Sequence, residues 1–193
     1  APVSADESIR PGTTLERLAG LAAVFGTDEM RARFPDIDWS VTAGNSSQIT
    51  DGASVLLLMS EERAAAFGLR PRARIHASAV VGDDPQLMLT GPIAATTKVL
   101  ARAGLTLRDI DTVEVNEAFA SVPLAWLAEH PYDEERLNPR GGAIALGHPL
   151  GASGARIMTS MLHHLEQTGG RYGLQTICEA GGMANATILE RLG

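Results

Sequence analysis

Short apolar segments, separated by glycine, proline and polar residues, recur along the 193-residue chain. Residues 54–59 form an almost continuous apolar stretch, which predicts a strand buried on both faces. Other segments rich in apolar and β-branched residues predict further strands. These span residues 73–81, 111–115, 172–178 and 186–192, and a glycine-containing turn joins the last two.

Helical segments alternate with the predicted strands. Their ends carry the usual signals, a hydroxyl residue or proline at the start and a glycine after the end. We predict a long loop over residues 34–50 and several helices. The helices run from Thr13 or Thr14 through Phe25 and over residues 60–67, 93–103, 120–130 and 153–167. This alternation predicts an α/β fold in which helices cover a sheet.

The composition and charge of the chain argue against several classes of protein. Apolar residues make up 45% and charged residues 20% of the sequence, as in folded domains rather than disordered segments. With 16 Lys and Arg against 23 Asp and Glu, the formal charge is −7, which disfavours binding to nucleic acid or an anionic membrane. No run approaches the roughly 18 apolar residues of a membrane span, and residues 1–6 lack a signal segment. These features predict a cytoplasmic protein.

The sequence contains a single cysteine, Cys178, which excludes an internal disulfide and a multi-cysteine metal site. The G-x-G-x-x-G, G-x-x-x-x-G-K-[ST] and G-x-S-x-G patterns do not occur, which disfavours dehydrogenases, P-loop enzymes and hydrolases. We predict no metal and no tightly bound cofactor.

Three segments combine polar side chains or glycines with predicted buried structure: residues 115–119, 141–154 and 178–182. They contain Cys178 before a glycine pair, His148 in a loop before a helix, and Asn116 after a strand. A thiol, a base and N–H donors are what acyl transfer requires. Each residue also has a structural interpretation, as a buried thiol, a hydrogen-bonding loop histidine or a turn-forming asparagine.

Taken together and in this order, five segments resemble the thiolase superfamily. They are RPGTTLE (10–16), TAGNSS (42–47), DGA (51–53), NEAF (116–119) and GGAIALGHP (141–149). The resemblance runs the full length of the chain, but thiolases are roughly twice as long. It therefore implies that this chain is the C-terminal half of such an enzyme.

The resemblance implies a role for each candidate residue. The nucleophilic cysteine of thiolases lies in the front half, which this chain lacks. His148 matches the histidine that activates it and contributes to an oxyanion hole, and Cys178 matches the cysteine that acts as acid and base. Asn116 matches the asparagine that holds a water in an oxyanion hole. Ser47 matches a serine that contacts the pantetheine arm of CoA, and the Ala180 N–H is placed to donate to an oxyanion.

Two positions depart from the family pattern. Ala180 stands where C-x-G-G-G has its first glycine, and Gln48 stands where a glycine usually follows the serine. The Ala180 methyl group is expected to crowd the oxyanion site or alter the preference for acyl groups. Gln48 is expected to alter the fit of the substrate near the CoA site.

The architecture implied by the resemblance is the layered thiolase fold, in which helices cover a mixed β-sheet in each of two similar halves. One half would be nearly complete here, with remnants of the other. Residues 1–50 would be the tail of the loop domain, residues 51–71 the last strand and helix of the N-terminal domain, and residues 72–193 the C-terminal domain. The predicted strand at 54–59 would then lack its sheet.

The leading hypothesis is the C-terminal half of a thiolase, which transfers acyl groups between CoA and acyl-CoA and is inactive by itself. CoA would be substrate and product, and the partner would be an N-terminal half or further copies in a dimer or tetramer. A non-thiolytic relative is a second hypothesis; Cys178 disfavours a ketoacyl-synthase-like protein, which usually has histidine there. A noncatalytic partner subunit or scaffold is the third.

Overall fold

The computed structural model describes residues 2 and 4–193 of the chain. The chain divides into two compact units, the first ending at Ser46 and the second comprising Ser47–Gly193. The prediction that the N-terminus lacks a signal segment involves Ala1 and Val3, which lie outside the described residues.

The first unit contains two short helices, α1 (Leu15–Ala19) and α2 (Asp28–Arg33), and a 3-10 turn at Ala43–Asn45. The Thr14 side chain accepts a hydrogen bond from Arg17 N and caps α1, as predicted. The prediction that this helix continues to Phe25 was wrong. Since α1 buries none of its residues, no packing stabilises additional turns.

The second unit is built on a four-stranded mixed sheet in the order β1-β4-β3-β2. Its strands are β1 (Ala73–Gly82), β2 (Thr112–Val115), β3 (Tyr172–Glu179) and β4 (Met183–Arg191). The β1–β4 and β4–β3 pairs are antiparallel, whereas β3 and β2 are parallel. The sheet and its helices confirm the predicted α/β class, and these four strands fall on the predicted segments.

Five helices belong to this unit: α3 (Glu61–Ala66), α4 (Gly91–Ala103), α5 (Ser121–Glu129), α6 (Ala143–Leu146) and α7 (Ser153–Thr168). Helices α4 and α5 share an apolar core with Val113, Val115 and Leu174 of the sheet. Adjacent strand residues face opposite sides, and Gly173 lies against Met161 and Leu165 of α7. Helix α7 therefore covers the other face of the sheet.

None of the helices within the described residues is long and apolar enough to cross a membrane. Helix α4 ends before Gly104 as predicted, but it begins at Gly91, two residues before the predicted start at residue 93. Helix α7 begins at Ser153 as predicted, and Ser60 caps α3 through a hydrogen bond from Arg63 N.

The prediction of a buried strand at residues 54–59 was wrong. The segment forms no strand, and Val55 and Leu57 are 89% and 75% exposed. Its composition suits a covered strand, but a strand needs a neighbour with which to exchange hydrogen bonds. The described part of the chain provides no such neighbour for these residues.

A buried hydrogen bond ties the two helices that cover the core face of the sheet. Trp126 Nε1 of α5 donates to Thr96 Oγ1 of α4 at 2.9 Å, and both residues are fully buried. We expect Thr96→Val to lower the free energy of unfolding by about 1–3 kcal/mol, because the indole N–H loses its acceptor. Urea denaturation measures this loss. The matched control is Thr97→Val at an exposed position, for which we expect less than about 0.5 kcal/mol; equal losses would contradict the assignment.

Candidate active site

The parallel pairing of β2 with β3 brings two candidate residues to the same edge of the sheet. Val115, the last residue of β2, is in register with Thr176, and the N–H of Asn116 donates to Thr176 O at 3.0 Å. Cys178 lies two residues further along β3. Because parallel strands run in one direction, both residues lie where their strands approach the carboxyl edge. Asn116 is 2% exposed there.

His148 lies in the loop between α6 and α7, directly beside Asn116. Its N–H donates to Gln48 O at 2.8 Å, which fixes the main chain of the loop. Its Nε2 atom lies 3.4 Å from Asn116 Nδ2, so the amide N–H₂ group faces the imidazole. The structure therefore brings together two of the residues that the sequence indicated separately.

Ser153, which the sequence analysis did not identify, holds the other nitrogen of the His148 ring. Ser153 Oγ lies 2.6 Å from His148 Nδ1 and also 3.0 Å from Pro149 O. Since the hydroxyl proton goes to Pro149 O, Oγ accepts from Nδ1–H. Nε2 then carries no proton in the neutral ring and is free to act as a base. A hydroxyl residue at the first position of the following helix was the available signal.

Burial keeps both His148 and Cys178 uncharged. Burial lowers the pKa of the His148 imidazole, and the positive charge of Arg156 lowers it further. Burial raises the pKa of the Cys178 thiol; a backbone hydrogen bond lowers this pKa in part, and the charge of Glu179 raises it. At neutral pH the site therefore contains a neutral imidazole, able to accept a proton, and a protonated thiol, able to donate one.

The turn after Cys178 runs through Ala180, Gly181 and Gly182 to the start of β4. Both glycines have positive φ angles, 84° and 79°. A Cβ on Gly182 would lie 2.7 Å from Asp83 O, so only glycine fits this close approach. Ala180, the first residue of the turn, is exposed.

Ser47, the candidate contact for CoA, is tied to the segment that carries Asn116. Its N–H donates to Ala118 O at 3.0 Å, two residues beyond Asn116. Ser47 and Gln48 are half-buried, and the carbonyl of Gln48 holds the His148 loop. Residues 47 and 48 thus lie alongside both the asparagine and the histidine.

An open cleft of about 340 Å³ lies beside the His148 loop, lined by residues 50–54 and 149–152. The Ser54 side chain donates to Ala152 O across it at 2.7 Å. Thr50 Oγ1 is buried with no hydrogen-bond partner among the described residues. Within that same part of the chain, no three His, Cys, Asp or Glu side chains are grouped closely enough to hold a metal ion.

A buried carboxyl group, Glu114, lies beneath the site and was also missed by the sequence analysis. It is paired in register with Gln175 on the neighbouring strand. Burial raises the pKa of Glu114 to about 8; the charge of Arg156 lowers it and that of Glu117 raises it. Burial is the main reason that the carboxyl group favours its neutral form, and Glu114 Oε1 accepts no hydrogen bond within the described residues.

This pKa predicts how stability depends on pH. The folded-state pKa of about 8 lies above the ordinary value of 4.5, so folding binds a proton and Glu114 contributes stability that is lost as pH rises toward 8. We expect Glu114→Gln to reduce the fall in the free energy of unfolding between about pH 5 and pH 8. Urea denaturation at both pH values measures it. The control is Glu129→Gln at an exposed position; the same pH dependence in both variants would contradict the prediction.

Family models and known proteins resemble this chain along almost its whole length. Residues 69–191 match the thiolase C-terminal domain, and residues 1–62 match the thiolase N-terminal domain. The steroid 3-ketoacyl-CoA thiolase FadA6 of Mycobacterium tuberculosis is 53% identical over 191 residues, covering 99% of this chain and 44% of that protein. The 3-oxoadipyl-CoA/3-oxo-5,6-dehydrosuberyl-CoA thiolase of Escherichia coli is 50% identical, covering 97% of this chain and 45% of that protein.

Solved structures give the same result. An acetyl-CoA acetyltransferase of Bacillus anthracis superposes with a TM-score of 0.87 at 43% identity, covering 97% of this chain and 45% of that one. Human mitochondrial 3-ketoacyl-CoA thiolase in complex with CoA superposes with a TM-score of 0.85 at 41% identity, covering 99% and 46%. The predicted thiolase-like fold is confirmed, and the chain spans less than half the length of each of these relatives.

Proposed function

The chain belongs to the thiolase family, and from this premise we propose that it is the C-terminal half of an enzyme that transfers acyl groups between CoA and acyl-CoA. The reaction is the thiolytic cleavage of a 3-ketoacyl-CoA or the reverse Claisen condensation. One observation supports this most directly: the unprotonated Nε2 of His148 faces Asn116, at the edge of the sheet where the strand of Cys178 ends.

In cleavage, His148 Nε2 accepts the proton of the nucleophilic cysteine supplied by the N-terminal half. The resulting thiolate forms a bond to the keto carbon, and the carbon–carbon bond to the CoA-bearing fragment breaks. That fragment leaves as a carbanion and takes a proton from the Cys178 thiol. Free CoA then gives its thiol proton to the Cys178 thiolate and forms a bond to the acyl carbon. The bond to the nucleophilic cysteine breaks, acyl-CoA is released, and the cysteine thiolate takes back its proton from His148.

The developing oxyanions are stabilised by hydrogen-bond donors. A water held by Asn116, together with the Nε2–H that His148 carries after it has accepted the cysteine proton, serves one of them, and the Ala180 N–H serves the other. Asn116 Oδ1 is buried and accepts no hydrogen bond from the described residues, which suits an amide that binds a water. Ser47 contacts the pantetheine arm of CoA, which is substrate and product rather than a bound cofactor.

The absence of a neighbouring strand for residues 54–59 in the described part of the chain supports an N-terminal thiolase half as the binding partner. Val55, Leu57 and Leu58 are exposed apolar residues in a segment with strand-like composition, within the region that matches the thiolase N-terminal domain. A sheet from the N-terminal half would pair with this segment and cover it. Assembly into a dimer or tetramer and a cytoplasmic location stay predictions from the family and the sequence.

The test is the cleavage of acetoacetyl-CoA in the presence of free CoA. We expect no activity from the 193-residue chain alone and activity when it is joined to the front half of the M. tuberculosis relative. In the joined protein, His148→Asn should lower kcat by about 10²–10⁴-fold, because the base is lost. His163→Asn on the exposed face of α7 is the matched control. A joined protein that folds and binds CoA without turnover would favour the noncatalytic partner instead.

A second test concerns the departure at Ala180. The methyl group lies in the turn that carries the proposed oxyanion donor, so Ala180→Gly in the joined enzyme should change the relative kcat/KM for short and long 3-ketoacyl-CoA substrates. We expect a shift of about 10-fold, the lower end of the range that one methylene makes in a hydrophobic pocket, because Ala180 is exposed. Steady-state kinetics over a series of chain lengths measures it. Identical preferences in both proteins would remove any role of this methyl group in specificity.

A further inference from the structure

Asn138 attaches to the open edge of β2 as one additional strand residue would. Its Oδ1 accepts from Val115 N and its Nδ2 donates to Val115 O, each at 2.9 Å. Its own N–H donates to Val113 O at 2.9 Å. Asn138 thus satisfies both main-chain groups of the residue that precedes Asn116.

The same asparagine also holds the residue that follows Asn116. Asn138 Nδ2 donates to Glu117 Oε1 at 2.9 Å, and the second carboxylate oxygen, Oε2, accepts from Ile144 N at 3.1 Å. Ile144 lies in α6, whose last residue is separated from His148 by Gly147 alone. One carboxylate therefore connects the segment of Asn116 with the helix that leads to His148.

Gly142 leaves the space that this connection requires. A Cβ at Gly142 would lie 2.0 Å from Glu117 Cδ and 2.2 Å from each carboxylate oxygen. Any side chain at this position would displace the carboxylate from Ile144 N. The glycine, the carboxylate and the asparagine thus form one packed unit on the side of β2 away from β3.

We propose that Glu117 and Asn138 are positioning residues that set the distance and orientation between Asn116 and His148. The two candidate residues touch through a single 3.4 Å contact, whereas the surrounding main chain is held by bonds of 2.9–3.1 Å. Neither Glu117 nor Asn138 takes part in proton transfer. The kcat test of this inference rests on the proposed function. The amide-exchange test does not, because it measures the hydrogen bonds in the chain itself.

The first test uses amide hydrogen exchange, followed by NMR, on the 193-residue chain and needs no turnover. Glu117→Gln places an amide N–H₂ group opposite an N–H donor. Asn138→Gly removes the side chain while suiting the positive φ of 46° at this position. In the first variant the new N–H₂ group faces either Ile144 N or Asn138 Nδ2, so we expect exchange at Ile144 or at Val115 to accelerate by at least about 10-fold. In the second variant we expect the same acceleration at Val115. Unchanged exchange at both amides would overturn the proposal.

The second test uses the joined enzyme. We expect each variant to lower kcat by about 10- to 100-fold while KM for CoA stays within about twofold, because misplacement affects the reacting geometry more than ligand contacts. If the two residues act through one connection, the double variant should be little worse than the poorer single variant. Losses that multiply would overturn the proposal.

The matched control is Glu166→Gln, which breaks the hydrogen bonds of 2.6 and 2.9 Å with Arg72 at the far end of α7. It should change neither the exchange of Ile144 nor kcat. If the unmodified joined protein shows no activity, the proposed function fails, and the exchange measurements still decide whether this connection positions the pair. If Glu117→Gln does not fold, Asn138→Gly still provides both an amide-exchange measurement, at Val115, and a kcat measurement in the joined enzyme.

Discussion

The short parallel pairing of β2 with β3 is the constraint on which the rest of the site depends. β2 has only four residues, Thr112–Val115, and all of them are buried between helices on both faces of the sheet. Because β2 and β3 run in the same direction, the chain leaves both strands at one edge. Asn116 and Cys178 reach that edge from distant parts of the sequence. No strand pairs with the other edge of β2 in the described sheet; there, the Asn138 side chain forms hydrogen bonds with the N–H and C=O groups of Val115.

Burial at this edge of the sheet shifts the pKa values of three titratable groups toward their neutral forms. Burial lowers the pKa of His148 and raises the pKa values of Cys178 and Glu114, and in each case it favours the neutral form. Arg156 acts on His148 and on Glu114, since its positive charge lowers both pKa values. The groups proposed for proton transfer are therefore held uncharged, and the hydrogen bond to Ser153 sets the tautomer of His148. In their resting state the proposed base, His148, and the proposed acid, Cys178, are therefore both neutral.

The two wrong predictions have one physical cause. The hydrophobic pattern of residues 54–59 and of residues 20–25 predicts that their apolar side chains can be buried. It does not indicate whether another strand or helix lies against them. Val55 and Leu57 are exposed because no strand lies beside them in the described part of the chain. Helix α1 ends at Ala19 because it has no buried face. Where a covering layer exists, as for α4 and β4, the pattern and the structure agree.

The sequence by itself determined the α/β class, four strands, the main helices, the family and the candidate residues Asn116, His148 and Cys178. These depend on local periodicity, on capping chemistry and on motifs that are continuous along the chain. The tertiary structure decided the contact between Asn116 and His148, the tautomer set by Ser153, the neutral carboxyl group of Glu114 and the connection through Glu117 and Asn138. These depend on strand order, burial and distances between segments far apart in sequence, which no local pattern specifies.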